Sequence, residues 1–291
     1  MADFEQLITR AEAVLARLES FLPPPAPEPD WNAIAWRWQT LNGRGHLVAV
    51  EHPHHISLDD IRNVDEQKAE IVRNTEQFVH GHPANNVLLT GARGTGKSSL
   101  VKAVLSAFAN QGLRLVEVDK QDLVALPEIV ALLRERKERF IVFCDDLSFE
   151  SSDPGYKALK VVLDGSIAAT SDNVVVYATS NRRHLMPEYM SENLEVTRHG
   201  DEVRPGDTTE EKVSLSERFG LWLSFYPFSQ DEYLAVVAQW LKHYGIEQVD
   251  EETRSAALLF SHTRGARSGR VAYQFARDYV GRQALAAARH P

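Results

Sequence analysis

The stretch 87–103, "VLLTGARGTGKSSLVKA", constrains this chain more than any other. Residues suited to a buried strand run into a glycine-punctuated turn, and a lysine and two serines then open a segment with helical spacing. The run 91–98, "GARGTGKS", fits G-x-x-x-x-G-K-[ST] in the strand–turn–helix setting that gives the pattern its meaning. The residue types follow from a ligand rich in phosphate oxygens. Glycines let backbone amides approach those oxygens, a helix start adds partial positive charge, Lys97 adds a full one, and the Ser98 hydroxyl suits Mg²⁺. Gly91, Arg93, Gly94, Thr95, Gly96, Lys97, Ser98 and Ser99 are therefore the candidate nucleotide-binding residues of this turn.

The rest of the chain reads as α/β. Predicted helices cover about 64–80, 97–110, 127–136 and 155–168, and they alternate with predicted strands at 86–90, 113–118, 140–144 and 174–178. Such alternation implies right-handed crossovers and a parallel sheet covered on both faces. "LWLSFY", 221–226, is a candidate fifth strand, and 229–289 reads as three helices without a strand. Residues 187–213 are polar with little periodicity and read as a long surface insertion, functional or mobile.

Upstream, Phe4, Leu7, Ile8, Ala11, Val14, Leu15, Leu18 and Leu22 form the apolar stripe of an amphipathic helix. "PPPAPEP", 23–29, follows as a semi-rigid spacer, and "DWNAIAWRWQ" then carries Trp31, Trp36 and Trp38. Those tryptophans either anchor an N-terminal extension onto the main body or present a partner-binding surface. The expected organisation is a helix over 1–22, a linker and Trp-bearing extension over 23–55, a nucleotide-binding core over 56–227 that includes the insertion, and a helical unit over 228–291.

Composition narrows the function classes. A net charge of −9 argues against non-specific coating of nucleic acid, although a local basic face remains compatible with it. The single cysteine, Cys144, forms no internal disulfide and sits in an apolar strand, so we assign it no chemistry. With no charged-apolar-small leader and no apolar run near the roughly 18 residues that span a bilayer, the expectation is a cytoplasmic protein without membrane spans. "HPHH" at 52–55 lacks the second cluster a metal site needs.

Five further positions carry candidate chemistry. The apolar strand "FIVFC" ends in Asp145 and Asp146, at the edge where open α/β sheets place ligands. Asp145 is the candidate metal-side carboxylate, and Asp146 is placed to polarise a water for attack on a γ-phosphate; the plain reading of both is a cap or turn. Asn181, directly after "VVVYATS", either orients that water or is a turn residue. Arg218, in "SLSERFG", suits a phosphoryl group with developing charge, supplied across a subunit contact, or else makes a salt bridge. Arg270 opens the final arginine-rich helix and either contacts bound nucleotide or lies on a solvated face.

With Lys97, Asp145, Asn181, Arg218 and Arg270 in that order, residues 56–285 resemble the AAA+ ATPases. The resemblance implies a P-loop NTPase fold, three layers around a parallel sheet of order 5-1-4-3-2, with a small C-terminal helical lid and ATP between the two. It also implies Walker A at 91–98, Walker B at 140–146, sensor 1 at Asn181, the arginine finger at Arg218 and sensor 2 at Arg270. "ISLDDIRNVDEQK" is similar to the segment that borders the adenine in that family, which implies Ile61 and Val64 near the base. The context of Arg218 is like that of the Holliday-junction branch-migration motors. "GYKALKVVLDGS", "ATSNRRHLMPEYM" and "LSERFGLWLSFYPF" are similar to the bacterial AAA+ proteins of domain of unknown function 815.

Two departures qualify the carry-over. Asp146 stands where the family usually has Glu, so hydrolysis is expected to be slow. "VDKQDLVALPE", 118–128, lacks the aromatic residue and glycine of threading members, so a peptide-unfolding pore is not expected. The leading expectation is an ATP- and Mg²⁺-dependent hydrolase, a head-to-tail homo-oligomer that acts on an unspecified protein partner. Its alternatives are a slow nucleotide-dependent switch and a DNA-remodelling ATPase.

Overall fold

The computed structural model describes residues 2–19, 28–149, 153–164, 171–181, 185, 197–199, 202–204 and 215–289. Most of the 187–213 segment, and the end of the helix expected over 155–168, lie outside them. The helix α1 (Ala2–Glu19) is followed by strands β1 (Ala35–Leu41) and β2 (Arg44–Ala49). Strand and helix then alternate through α2 (Asp65–Val79), β3 (Val87–Gly91), α3 (Lys97–Phe108), β4 (Leu113–Glu117), α4 (Leu126–Arg134), β5 (Arg139–Cys144), α5 (Pro154–Asp164) and β6 (Val174–Ser180). A small antiparallel pair, β7 (Thr197–His199) and β8 (Glu202–Arg204), precedes β9 (Leu221–Phe225). Helices α6 (Gln230–His243), α7 (Glu251–Thr263) and α8 (Gly269–Arg289) complete the described chain.

The main sheet runs β2-β1-β4-β5-β6-β3-β9, with every pairing from β1 to β9 parallel. Counted from β3, its last five strands have the order 5-1-4-3-2. Period-two alternation explains its two cores. Val87, Leu89, Leu113, Leu115, Ile141, Phe143, Val175 and Tyr177 pack with α2 and α3 on one face. Leu88, Val116, Phe140, Val142, Cys144, Val176 and Ala178 pack with α4 and α5 on the other. Burial, helped by Asp145, pushes the Cys144 thiol up to about 12, which fits an inert core residue.

The tryptophan segment is part of the sheet. Asn42 and Gly43 have φ of 51° and 74°, the two left-handed positions of a tight hairpin, and β1 then adds parallel to β4. Trp36 and Trp38 become core residues, 1% and 2% exposed. Trp31 stacks near Trp36 and Phe140, with the Arg136 guanidinium 4.4 Å above its ring. By contrast Phe4, Leu7, Val14 and Leu15 of α1 are exposed. No helix of the described residues is long and apolar enough to cross a membrane.

Helices α6 to α8 bury a third core of their own, centred on Tyr233, Val237, Leu241, Ala272 and Phe275. Asn63 donates to the Glu232 carbonyl at 3.2 Å and Gln239 to the Asp60 carbonyl at 3.4 Å, tying this bundle to the segment before α2.

Candidate functional site

Three strand ends converge at the C-terminal edge of the sheet. β3 delivers the glycine turn, β5 delivers Asp145 and Asp146, and β6, lying between them, delivers Asn181. Gly91 is fixed by β9, because a Cβ there would stand 1.8 Å from the Phe225 carbonyl oxygen, and its φ is +128°. The turn then wraps the Lys97 ammonium, which donates to the carbonyls of Gly91 (2.8 Å) and Ala92 (2.7 Å) and to Asn181 Oδ1 (3.2 Å). Thr95, buried, closes the turn by donating to the Ala92 carbonyl. Burial lowers the pKa of Lys97; Asp145 and Asp146 oppose that shift, while Arg270 and Arg93 reinforce it.

The carboxylates are oriented by hydroxyl and amide groups. Asp145 Oδ1 accepts from Ser98 Oγ at 2.6 Å and from Thr179 Oγ1 at 2.5 Å. Asp146 Oδ1 accepts from Asn181 Nδ2 at 2.5 Å, and the residue sits in the left-handed region with φ +52°. That conformation costs a side chain about 1–2 kcal/mol, least for Asp and Asn. Its amide donates to Thr179 Oγ1 at 2.9 Å, which holds it there.

The C-terminal bundle meets the turn directly. A Cβ on Gly94, whose φ is +76°, would lie 2.7 Å from Ser268 Oγ and 3.2 Å from Arg270 Cβ. Ser268 is buried, and its oxygens accept from the Val271 and Ala272 amides at the start of α8. The starts of α3 and α8 therefore both face the turn, with Arg270 beside Lys97. Gly94→Val should force Ser268 and Arg270 away. The expected result is nucleotide affinity at least tenfold lower together with a lower melting temperature, because a β-branched residue is strained at a positive φ, read by nucleotide titration and thermal unfolding.

Ile61 and Val64 are buried against the β3 and α3 side of the sheet, with the Ile61 carbonyl accepting from Lys68 Nζ at 3.1 Å. Arg93 is exposed, and Ser99 is half-buried in the first turn of α3. Arg218 stands apart. It forms an ion pair with Asp164, the last residue of α5, just before β9 begins. β9 pairs with β3 from Val87↔Leu221 to Gly91↔Phe225, so Arg218 lies at the opposite edge of the sheet from the glycine turn. Five residues of strand put roughly 16 Å between those edges.

The donor set suits a phosphate chain with a hard cation. Amides at the start of α3, Lys97, Arg93 and Arg270 supply positive charge, while the Ser98 hydroxyl and Asp145 carboxylate offer adjacent oxygen ligands. No group of three His, Cys, Asp or Glu side chains that could cage an ion occurs among the described residues, so Ser98 and Asp145 would share Mg²⁺ with phosphate oxygens. Thr179 is the residue that sequence reading passed over. Its only signal was a polar side chain near the end of an otherwise apolar strand.

Comparison with known proteins gives a family and a fold. A family model described as "Protein of unknown function (DUF815)" matches residues 31–283. No match was found among curated proteins. Among solved structures, a variant of Thermotoga maritima RuvB aligns over 76% of this chain and 63% of its own, at 16% identity and a TM-score of 0.52. The T. maritima RuvB Holliday junction branch migration motor aligns over the same shares, at 16% identity and a TM-score of 0.50. The replication initiator DnaA, bound to AMPPCP and single-stranded DNA, does so at 13% identity and a TM-score of 0.50. The chain thus shares their fold and spans less than two thirds of their length.

Proposed function

This chain belongs to the DUF815 family, with an AAA+ fold, and from that premise we propose that it is an ATP- and Mg²⁺-dependent ATPase acting as a head-to-tail homo-oligomer. The observation that carries this reading is the network joining Lys97, Ser98, Asp145, Asp146 and Asn181 where β3, β5 and β6 end. Phosphates of ATP rest on the amides of residues 91–99 and on Lys97, with Arg93 and Arg270 adding charge. Ser98 and Asp145 would hold Mg²⁺, which would supply positive charge to the phosphates. Asp146 polarises the attacking water, and Asn181, which bridges Lys97 and Asp146, sets the direction of that carboxylate. Ile61 and Val64 border the base, and the helices after residue 227 act as the lid.

Arg218 supports the oligomer. Placed at the far edge of the sheet, it is out of reach of its own chain's phosphates, so a role in hydrolysis requires a neighbour's site. This reading takes a macromolecule, a protein, as the partner that is remodelled or loaded.

A slow, switch-like cycle is the second reading. Asp146 is shorter than Glu, its backbone is left-handed, and one of its oxygens is engaged by Asn181. Action on DNA has less support, because three of the arginines after residue 263 are engaged within the fold. Arg264 stacks on Phe260, Arg277 on Tyr273, and Arg282 pairs with Asp278. Turnover at saturating Mg·ATP separates the first two readings. A hydrolase is expected to exceed ~0.01 s⁻¹, the level of a switch protein that carries its own arginine, and a lower rate favours the switch.

A further inference from the structure

Thr179 is 2% exposed and lies on β6, between the strand that carries the glycine turn and the strand that carries the carboxylates. Its hydroxyl meets both members of the acidic pair, and its carbonyl meets the residue that follows them. Its hydroxyl donates to Asp145 Oδ1 at 2.5 Å and accepts the Asp146 amide at 2.9 Å, and its carbonyl accepts the Leu147 amide at 2.7 Å. A hydroxyl has one proton to give, and here that proton points at Asp145 while a lone pair receives Asp146. The next residue reinforces the arrangement, with Ser180 Oγ donating to the Leu147 carbonyl at 2.7 Å. Asn181, the residue directly after β6, donates to the Asp146 carboxylate.

We propose that Thr179 is the positioning residue of this site, its hydroxyl holding the Asp145 carboxylate against Ser98 and keeping Asp146 in its left-handed turn. The proposal rests on the Mg·ATP reading above. Asp145 Oδ1 receives two hydroxyls, from Ser98 on α3 and from Thr179 on β6, so its direction is set by both walls of the site. Removing the Thr179 hydroxyl frees Asp145 to rotate and leaves the Asp146 amide without its acceptor. Contacts of nucleotide with the glycine turn and Lys97 are untouched, because Thr179 bonds to neither. The role therefore concerns metal-assisted binding and not nucleotide binding as such.

Thr179→Val keeps the size and β-branching of the side chain and deletes only the hydroxyl, and Thr179→Ser keeps the hydroxyl. The experiment titrates a fluorescent ATP analogue into the full chain in excess Mg²⁺ and again in EDTA, and reads the ratio of the two affinities. For Thr179→Val that ratio should fall about tenfold or more while the EDTA affinity stays within about twofold of wild type. Thr179→Ser should keep the wild-type ratio. A Thr179→Val ratio within about twofold of wild type overturns the proposal. So does an equal loss of affinity in Mg²⁺ and in EDTA, which is what a merely structural role would give. Should Thr179→Val fail to fold, Thr179→Ala is read by the same criteria. A wild-type chain that binds no analogue, or binds it equally with and without Mg²⁺, defeats the Mg·ATP reading itself, a result recognisable before any variant is compared.

Discussion

Arg218→Ala subunits are expected to bind ATP with wild-type affinity and to hydrolyse it roughly 10³- to 10⁵-fold more slowly, a loss of about 4 to 7 kcal/mol in transition-state stabilisation. The separation of binding from turnover follows from the topology. Arg218 precedes β9 at the edge of the sheet opposite Gly91, so nothing in its own nucleotide site depends on it. Its ion pair with Asp164 is part-exposed, and losing it should cost little stability, which thermal unfolding checks. Mixing carries the stronger test. Asp146→Asn subunits retain Arg218, and Arg218→Ala subunits retain Asp146, so random co-assembly restores a complete site at about a quarter of the interfaces. Recovery in the mixture, absent from either variant alone, is the expected outcome. Two inactive variants that stay inactive together would show that Arg218 does not complete a neighbour's site.

Lys97→Ala removes the charge at the centre of the turn. The Lys97 ammonium is buried, and it already has acceptors in the Gly91 and Ala92 carbonyls and Asn181, so it is held in place before any phosphate arrives. Such pre-positioning limits the side-chain entropy lost on binding. A charge-assisted hydrogen bond is worth about 1.5–3 kcal/mol, so two contacts to phosphate lost together correspond to a roughly 10²- to 10⁴-fold fall in ATP affinity. Hydrolysis at an ATP concentration near the wild-type Kd should then fall by at least the same factor. The site holds this positive charge against its burial: Asp145 and Asp146 oppose the lowering of its pKa, while Arg270 and Arg93 reinforce it.

Much of this was legible in the sequence because the signals are local. The glycine turn, the apolar run ending in Asp145 and Asp146, and the alternation of helix and strand each depend on neighbouring residues, and together they implied a parallel α/β sheet; its strand order was implied only by the resemblance to the AAA+ ATPases. The hairpin was not anticipated, although "LNGR" at 41–44 carries the Asn-Gly pair that favours such turns. Three tryptophans drew attention to burial and away from the period-two pattern around them. Thr179 was missed for a different reason. Its importance lies in two residues of another strand, and nothing adjacent in sequence reports that Asp145 and Asp146 will lie beside it. Likewise the contact of Gly94 with Ser268 and Arg270 joins positions more than 170 residues apart. The left-handed backbone at Asp146 also had no local signature, since Asp is tolerated there without being demanded.

The central claim, that the turn over 91–98 holds the phosphates of ATP through Lys97, is tested most directly by titrating Mg·ATP into the wild-type chain and into Lys97→Ala by calorimetry. Close to one nucleotide per chain is expected for wild type and an affinity at least a hundredfold weaker for the variant, with both proteins equally folded. Binding of equal strength in the two, or no binding to the wild-type chain at millimolar ATP, would contradict it.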